Sequence, residues 1–549
     1  MNSRLHGNDM ALNFKASDSS GGLLKRSMGR LSAHSSMNKN RLLFAVITAL
    51  LLLQFLGLNF GLPQQYHPDE YYINIKTFQL FNSLKNLAFE KDKYMLGIRW
   101  VYFASFVVVF GVGRVVGAFE SFADYYAHYF AFGNPYVDGA SPWFYLPPRC
   151  ISFLFYVGCI VLVYFIAKKL AGRDEYRHFP WIVTLTAVLL PGGYLYSHYG
   201  TRESATCFFT LLMIYHAGWL FRPEKWSSVL AGGILLGLGT GIKENAGIFV
   251  VLYGFRMFWA MKKGVLRWPQ LAVHGAIFTA ATFGAFYLIN PQRIALSNVN
   301  RVVALYRKSE DRRFTVEYSA THGVYPLAFM REFSLPGIVL LVIGAIVAWV
   351  KKPQTRQIAL IVLGTYIALD FTKATGLKAD RYIMNVFLPF LLVGATGLYA
   401  WLQKKRWTRW MWVLPTVVLL FNGRELASIF LNFNGHDTRR VAGAWIDKHV
   451  PRSSRIARET IYTPYLDPGE YDSVHVEWIL GLHDLDTLRA RKFDYLIISH
   501  QFHSGWAYGE HVKQNYAAFL PYAVKKFDTA WRPRLNNFHS PAIWVCKIQ

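Results

Sequence analysis

Two adjacent carboxylates, Asp69 and Glu70, follow a histidine and a proline in the stretch Tyr66-His67-Pro68-Asp69-Glu70-Tyr71-Tyr72. A carboxylate held beside a hydroxyl can take its proton as the oxygen attacks, which makes this pair a candidate general base. Pro68 favours an extended His67 and suits the first turn of a helix, whose positive end would keep Asp69 and Glu70 ionised. Read alone, the same residues would also serve as an ordinary helix start at a membrane surface. Three further clusters give them company: Ser197-His198-Tyr199-Gly200-Thr201-Arg202-Glu203, then Lys243-Glu244-Asn245, then Lys373, Lys378, Asp380 and Arg381. Each abuts an apolar run, where ionisable groups either snorkel to the interface or mark a functional site. Carboxylates mixed with cations suit the transfer of a sugar from a lipid phosphate to a hydroxyl. The acceptor oxygen needs a base, and the departing phosphate needs cations to neutralise its charge. Arg offers paired donors to phosphate and Lys a point charge. A single base with cationic clamps implies direct displacement, with inversion at the sugar carbon.

The elements that must position these groups are membrane helices. The 549-residue chain is 53% hydrophobic and 17% aromatic, with apolar runs of spanning length throughout. The runs at 42–60, 149–168, 179–193, 203–221, 226–242, 245–261, 271–289, 336–350, 357–372, 382–402 and 410–424 predict about eleven spans. The fold class expected is therefore an α-helical polytopic membrane protein with a small α/β domain outside the bilayer. Much of the net charge of +26 lies in short loops between the runs. It sets topology there and does not bespeak nucleic acid: the N-terminus is placed in the cytoplasm and the C-terminal domain outside the plasma (inner) membrane. Residues 98–118 are long enough to cross, but counting them would put the Lys168–Arg177 cluster outside. They are predicted instead to lie at the interface within a large external loop, 61–148. Residues 1–40 form a basic tail, 41–425 the membrane domain and 426–549 the external domain. Within the last, helices are expected at 438–449 and 484–491, and strands at 454–457, 494–499 and 542–547. Gly233, Gly237 and Gly241 recur every four residues, a spacing that lets a neighbouring helix approach closely. The four cysteines lack metal-type spacing and read as packing residues.

In order along the chain, His67-Pro68-Asp69-Glu70, the segment Tyr145–Lys169, "SHYGTRES" at 197–204, "GLGTGIKENAG" at 237–247 and "KADRYIMNVFLPFLL" at 378–392 resemble the GT-C superfamily. These are lipid-carrier-dependent glycosyltransferases that include protein O-mannosyltransferases and lipid A aminoarabinose transferases. The resemblance implies that Asp69 is the catalytic acidic residue with Glu70 beside it. It also implies substrate-binding roles for His67, His198, Arg202, Glu203, Lys243, Lys378, Arg381 and Tyr382, with Lys243 and Arg381 facing the donor phosphate. Glu203 stands where relatives commonly carry Asp. A polyprenyl-phosphate sugar would enter from the bilayer, and a glycan, lipid or protein acceptor from outside. The 290–335 loop, with Arg293, Arg301, Arg307, Tyr318, His322 and Tyr325, would either close over them or be an ordinary interfacial loop. Metal dependence varies in the superfamily, and His67, Asp69 and Glu70 are the candidate ligands for a divalent ion. Competing readings are a lipid-linked saccharide transporter, which calls for broken helices and internal repeats, and a membrane receptor or assembly scaffold. The scaffold gives no reason for charges to converge at the membrane surface.

Overall fold

The computed structural model describes residues 40–62, 70, 73–80, 97–129, 142–172, 177–291, 324–371, 383–459, 462–477, 479, 483–499, 510–528 and 541–549. The apolar runs form helices. Among the described residues, six are long and apolar enough to cross a membrane: Gly97–Val115, Pro142–Ala171, Trp268–Ile289, Tyr325–Lys351, Met384–Lys404 and the stretch Thr408–His449. Shorter apolar helices cover Asn40–Phe55, Trp226–Ile242 and Thr355–Ile367. The protein is thus a helical, multi-pass membrane protein with a small sheet unit at its C-terminal end. The run expected at the interface forms the helix Gly97–Val115, which itself has spanning length and hydropathy. The basic tail and most of the 290–335 loop lie outside the described residues; of the loop's named side chains only Tyr325 is described, and it is fully buried.

The run at 179–193 is not one helix. It breaks into Phe179–Val188 and Pro191–Ser197, bent by 59°. Pro191 opens the second piece, where its missing N–H costs nothing. The break exposes backbone groups inside an apolar body, where each unpaired group would cost several kcal/mol. Two distant side chains satisfy them: Gln54 Nε2 donates to the Val188 carbonyl at 3.3 Å, and the Gly192 N–H donates to the Glu332 carboxylate at 3.1 Å. Glu332 sits just before a second irregularity. The helix Val324–Lys351 kinks at Ser334 (φ 61°, ψ 161°), two residues ahead of Pro336. There the Asn422 side chain donates to the Glu332 carbonyl.

Small residues set the closest helix contacts. A Cβ on Gly233 would lie 2.6 Å from the Phe278 carbonyl, and one on Gly237 would lie 2.9 Å from the Ala285 Cβ. The four-residue spacing therefore presses the 226–242 helix onto the 268–289 helix. Gly394 and Gly397 do the same between Met384–Lys404 and Val324–Lys351, meeting Leu341 and Ala348 backbone at 2.7 and 2.6 Å.

Beyond the 413–431 helix, a π turn (Asn432–His436) leads to the helix Thr438–His449 and a five-stranded sheet. Strands β1 (Arg455–Glu459), β2 (Ser473–Glu477), β3 (Tyr495–Ser499), β4 (Ala523–Phe527) and β5 (Ile543–Lys547) run in the order β2-β1-β3-β5-β4. β1 is parallel to β2 and β3, while β5 is antiparallel to β3 and β4. The expected helix at 438–449 and the strands that became β1, β3 and β5 are present. β2 and β4 are additional, and both lie at sheet edges.

Filling the glycine seam tests this packing. Gly237→Leu should destabilise the detergent-solubilised protein by about 1–3 kcal/mol through overpacking. Gly254→Ala, whose Cβ would meet nothing within 4 Å, should stay within about 0.5 kcal/mol. Thermal melts of the two variants make the comparison, and equal losses would remove the seam from the account.

Candidate active site

The first helix ends at Phe55 and its chain turns through residues 56–61, leaving carbonyls without intrahelical partners. Arg149, in the first turns of the Pro142–Ala171 helix, fills them: its Nη1 donates to Leu58 O at 2.9 Å and to Phe60 O at 2.5 Å. The other side of the guanidinium meets Glu70 in a bidentate pair, Nε to Oε1 and Nη2 to Oε2, both at 2.8 Å. The Gly200 N–H completes the carboxylate's partners at 2.7 Å. Both side chains of the pair are fully buried. Gly200 is small for a reason: a Cβ there would lie 2.8 Å from Pro148 and 3.5 Å from Glu70 Oε1.

The loop from His198 to Glu203 is the hub. One residue after Gly200, the Thr201 carbonyl accepts from Tyr102 Oη at 2.8 Å, and Tyr102 also meets Ser152 Oγ at 2.9 Å. Two residues on, Glu203 opens the helix Glu203–Tyr215 and pairs with Lys243 Nζ at 3.5 Å, with both side chains nearly buried. Lys243 reaches it because the 226–242 helix stops there, the residue itself being extended (φ −154°, ψ 131°). Arg202, just before the helix, is half-buried. His198 is buried, with Nε2 donating to Gln54 O at 2.5 Å and Nδ1 2.9 Å from Tyr194 O. Burial pushes its imidazole down to about 4.

Glu70, expected beside Asp69 among the catalytic residues, therefore has both carboxylate oxygens occupied by internal partners and presents neither to a substrate. The same contacts deny it to a divalent ion, and among the described residues no cluster of His, Cys, Asp and Glu has the makings of a metal site. Glu203 and Lys243 are brought together, and His198 and Arg202 flank them. His67, Asp69, Lys378, Arg381 and Tyr382 lie outside the described residues. Sequence reasoning missed Arg149, Tyr102 and Glu332. An arginine at the head of the 149–168 run and a glutamate four residues ahead of the 336–350 run were the available signals, since charge at membrane depth demands a partner.

Residues 119–290 match the family model described as dolichyl-phosphate-mannose-protein mannosyltransferase. The chain resembles these glycosyltransferases. The matched segment holds Arg149, the 198–203 loop and Lys243, and begins beyond Asp69 and Glu70. Among solved structures, the chain is similar to ArnT from Cupriavidus metallidurans in the apo state, at 11% identity and a TM-score of 0.45 over 93% of this chain and 98% of that one. It is also similar to the same ArnT bound to undecaprenyl phosphate, at 12% identity and a TM-score of 0.44 over 92% and 98%. No curated protein matches the chain.

Removing one member of the buried pair strands the other, which in general costs about 3–5 kcal/mol, whereas replacing both by apolar groups is far milder. Glu70→Met and Arg149→Met should each lower the melting temperature sharply, and the double variant should lose much less than their sum. Additive losses in this cycle would show that the two groups do not act as a pair.

Proposed function

We propose that this mannosyltransferase-like protein moves a sugar from a polyprenyl-phosphate carrier to a hydroxyl-bearing glycan, lipid or protein. The reaction would occur at the outer face of the plasma membrane, the face on which the positive-inside bias places the 61–148 loop and the C-terminal unit. The observation that carries the reading is the Glu70–Arg149–Gly200 clamp. It ties the residue next to Asp69 to the loop that leads into Glu203 and Lys243, so a carboxylate and a cation from distant parts of the chain share one end of the helix bundle. The description of the matched family names a lipid-phosphate mannose donor, which favours this donor class.

In the proposed reaction the acceptor oxygen attacks the sugar's anomeric carbon while its proton passes to the Asp69 carboxylate. The bond from that carbon to the phosphate oxygen breaks, and the lipid phosphate leaves with the electron pair. Inversion follows from attack opposite the leaving group. Lys243, with Arg381, neutralises the departing phosphate. Glu203 is the counter-ion that holds Lys243 charged and aimed, and Glu70 is a positioning residue that holds the chain on which Asp69 sits. A transporter would share the bent 179–197 pair, but two of its freed backbone groups, the Val188 carbonyl and the Gly192 N–H, are already taken by Gln54 and Glu332.

Asp69→Asn should fold and insert normally yet lose roughly 10²–10⁴-fold in turnover, the range for removing a general base. Sugar transfer from a polyprenyl-phosphate donor, at matched amounts of purified protein, reads it. Wild-type turnover would exclude Asp69.

Lys243→Met combined with Glu203→Gln avoids a stranded charge and should raise the donor KM about tenfold or more, the worth of one charge-assisted contact. Unchanged donor saturation would place Lys243 away from the phosphate.

A further inference from the structure

The C-terminal unit meets the membrane body beside the clamp. Phe433, in the π turn, stacks on His198 with ring centroids 4.4 Å apart and packs on Phe60 at 4.6 Å. Around this contact, a cleft of about 290 Å³ opens between the turn after the first helix and the start of the 438–449 helix. That volume is at the low end for small-molecule sites. Asn59, Asn432, Asp437 and Arg440 line it, with the buried rings of Phe60 and Phe433 alongside. The lining leaves room because its turns run through Gly61 (φ 69°) and Gly435 (φ 106°), left-handed positions where a side chain would be strained.

The charge of the cleft can be counted. Asp437 is already matched, accepting Arg439 Nε and Nη2 at 2.8 Å each. Among the described residues, the remaining charged group on the lining is the exposed Arg440 guanidinium. The described lining is therefore polar, with two amides and one unmatched positive charge at its edge. A guanidinium recognises phosphate or carboxylate through paired donors.

Its position matters as much as its chemistry. The Phe60 carbonyl on the cleft wall accepts from the same Arg149 that holds Glu70. One guanidinium thus separates the cleft from the residue adjoining Asp69. We propose that this cleft seats the acceptor, a saccharide that carries an anionic group within reach of Arg440. The assignment rests on the transferase reading above and adds the acceptor's class and its binding residues.

Binding is measured on the purified full-length protein, titrated calorimetrically with glucose 1-phosphate, glucuronate, glucose and inorganic phosphate. Glucose 1-phosphate or glucuronate should bind, and which one binds tighter identifies the anion. Glucose and inorganic phosphate should each bind at least about tenfold more weakly, because each lacks half of the recognised group. Arg440→Glu and the cleft-filling Asn59→Trp should abolish binding without moving the melting temperature. Binding is read apart from turnover, so the two assignments fail differently: wild-type turnover in Asp69→Asn with normal binding of the anionic sugars to the wild-type protein sinks only the catalytic one, and lost turnover with no such binding sinks only the cleft. Wild-type binding by Arg440→Glu or Asn59→Trp overturns the proposal. So does the absence of binding by both anionic sugars, or equal binding of glucose or inorganic phosphate.

Discussion

A carboxylate and a guanidinium with no exposure at all can coexist with an apolar protein body only if their nitrogens and oxygens are hydrogen-bonded within it. Glu70 and Arg149 meet that condition through the Leu58 and Phe60 carbonyls and the Gly200 N–H. The Coulombic gain of such a pair is largely offset by the cost of taking both ions out of water. Its value is therefore geometric more than energetic. The turn after the first helix, the start of the 142–171 helix and the 198–203 loop cannot move independently without unpairing a buried charge. Everything described at the site hangs from these three segments, including the loop's Thr201 contact with Tyr102 and the Glu203–Lys243 pair.

The same logic accounts for the other buried polar residues of the helix bundle. A site at the end of several spans needs turns, breaks and a short helix, and each exposes backbone that lipid cannot satisfy. Gln54, Glu332 and Asn422 occupy otherwise apolar helices because each caps such a defect: the bend at 188–192 for the first two, and the kink near Ser334 for the third. Irregular backbone and buried polar side chains form one system, with the loop carrying His198 to Glu203 at its downstream end.

Much of this architecture can be read from residue order. Long apolar runs specify their helices, and Gly233, Gly237 and Gly241 announce a close helix contact. The two most apolar strands, β3 (YLIIS) at the sheet centre and β5 (IWVCK) beside it, are found by their composition. Edge strands are harder to see: β4, with the sequence AVKKF, puts Lys525 and Lys526 outward, as an edge that avoids pairing with other chains should. The break after Val188 is equally hidden, because Pro191 opens a helix as readily as it ends one. At the site, Glu70, Glu203 and Lys243 stand out as charges beside spans, yet which groups they pair with does not. Arg149 lies 79 residues from Glu70, and Lys243 lies 40 from Glu203. Nothing local encodes either pairing. Roles are less legible still, since two neighbouring carboxylates look alike until one is found clasped by an arginine.

Phe433 belongs by sequence to the connection between the last long apolar helix and the sheet unit, but its ring lies among Phe60, Tyr194, His198 and Tyr199. A Cβ on Gly57 would come within 2.9 Å of it. The sheet unit is consequently not a cargo that evolution or an engineer can exchange at the membrane boundary. A chimera joined after residue 431 would inherit the wrong wedge between the first helix and the 198–203 loop. A graft that keeps residues 432–440 with the membrane body, and is joined beyond them, preserves the fit while leaving the sheet free to diverge.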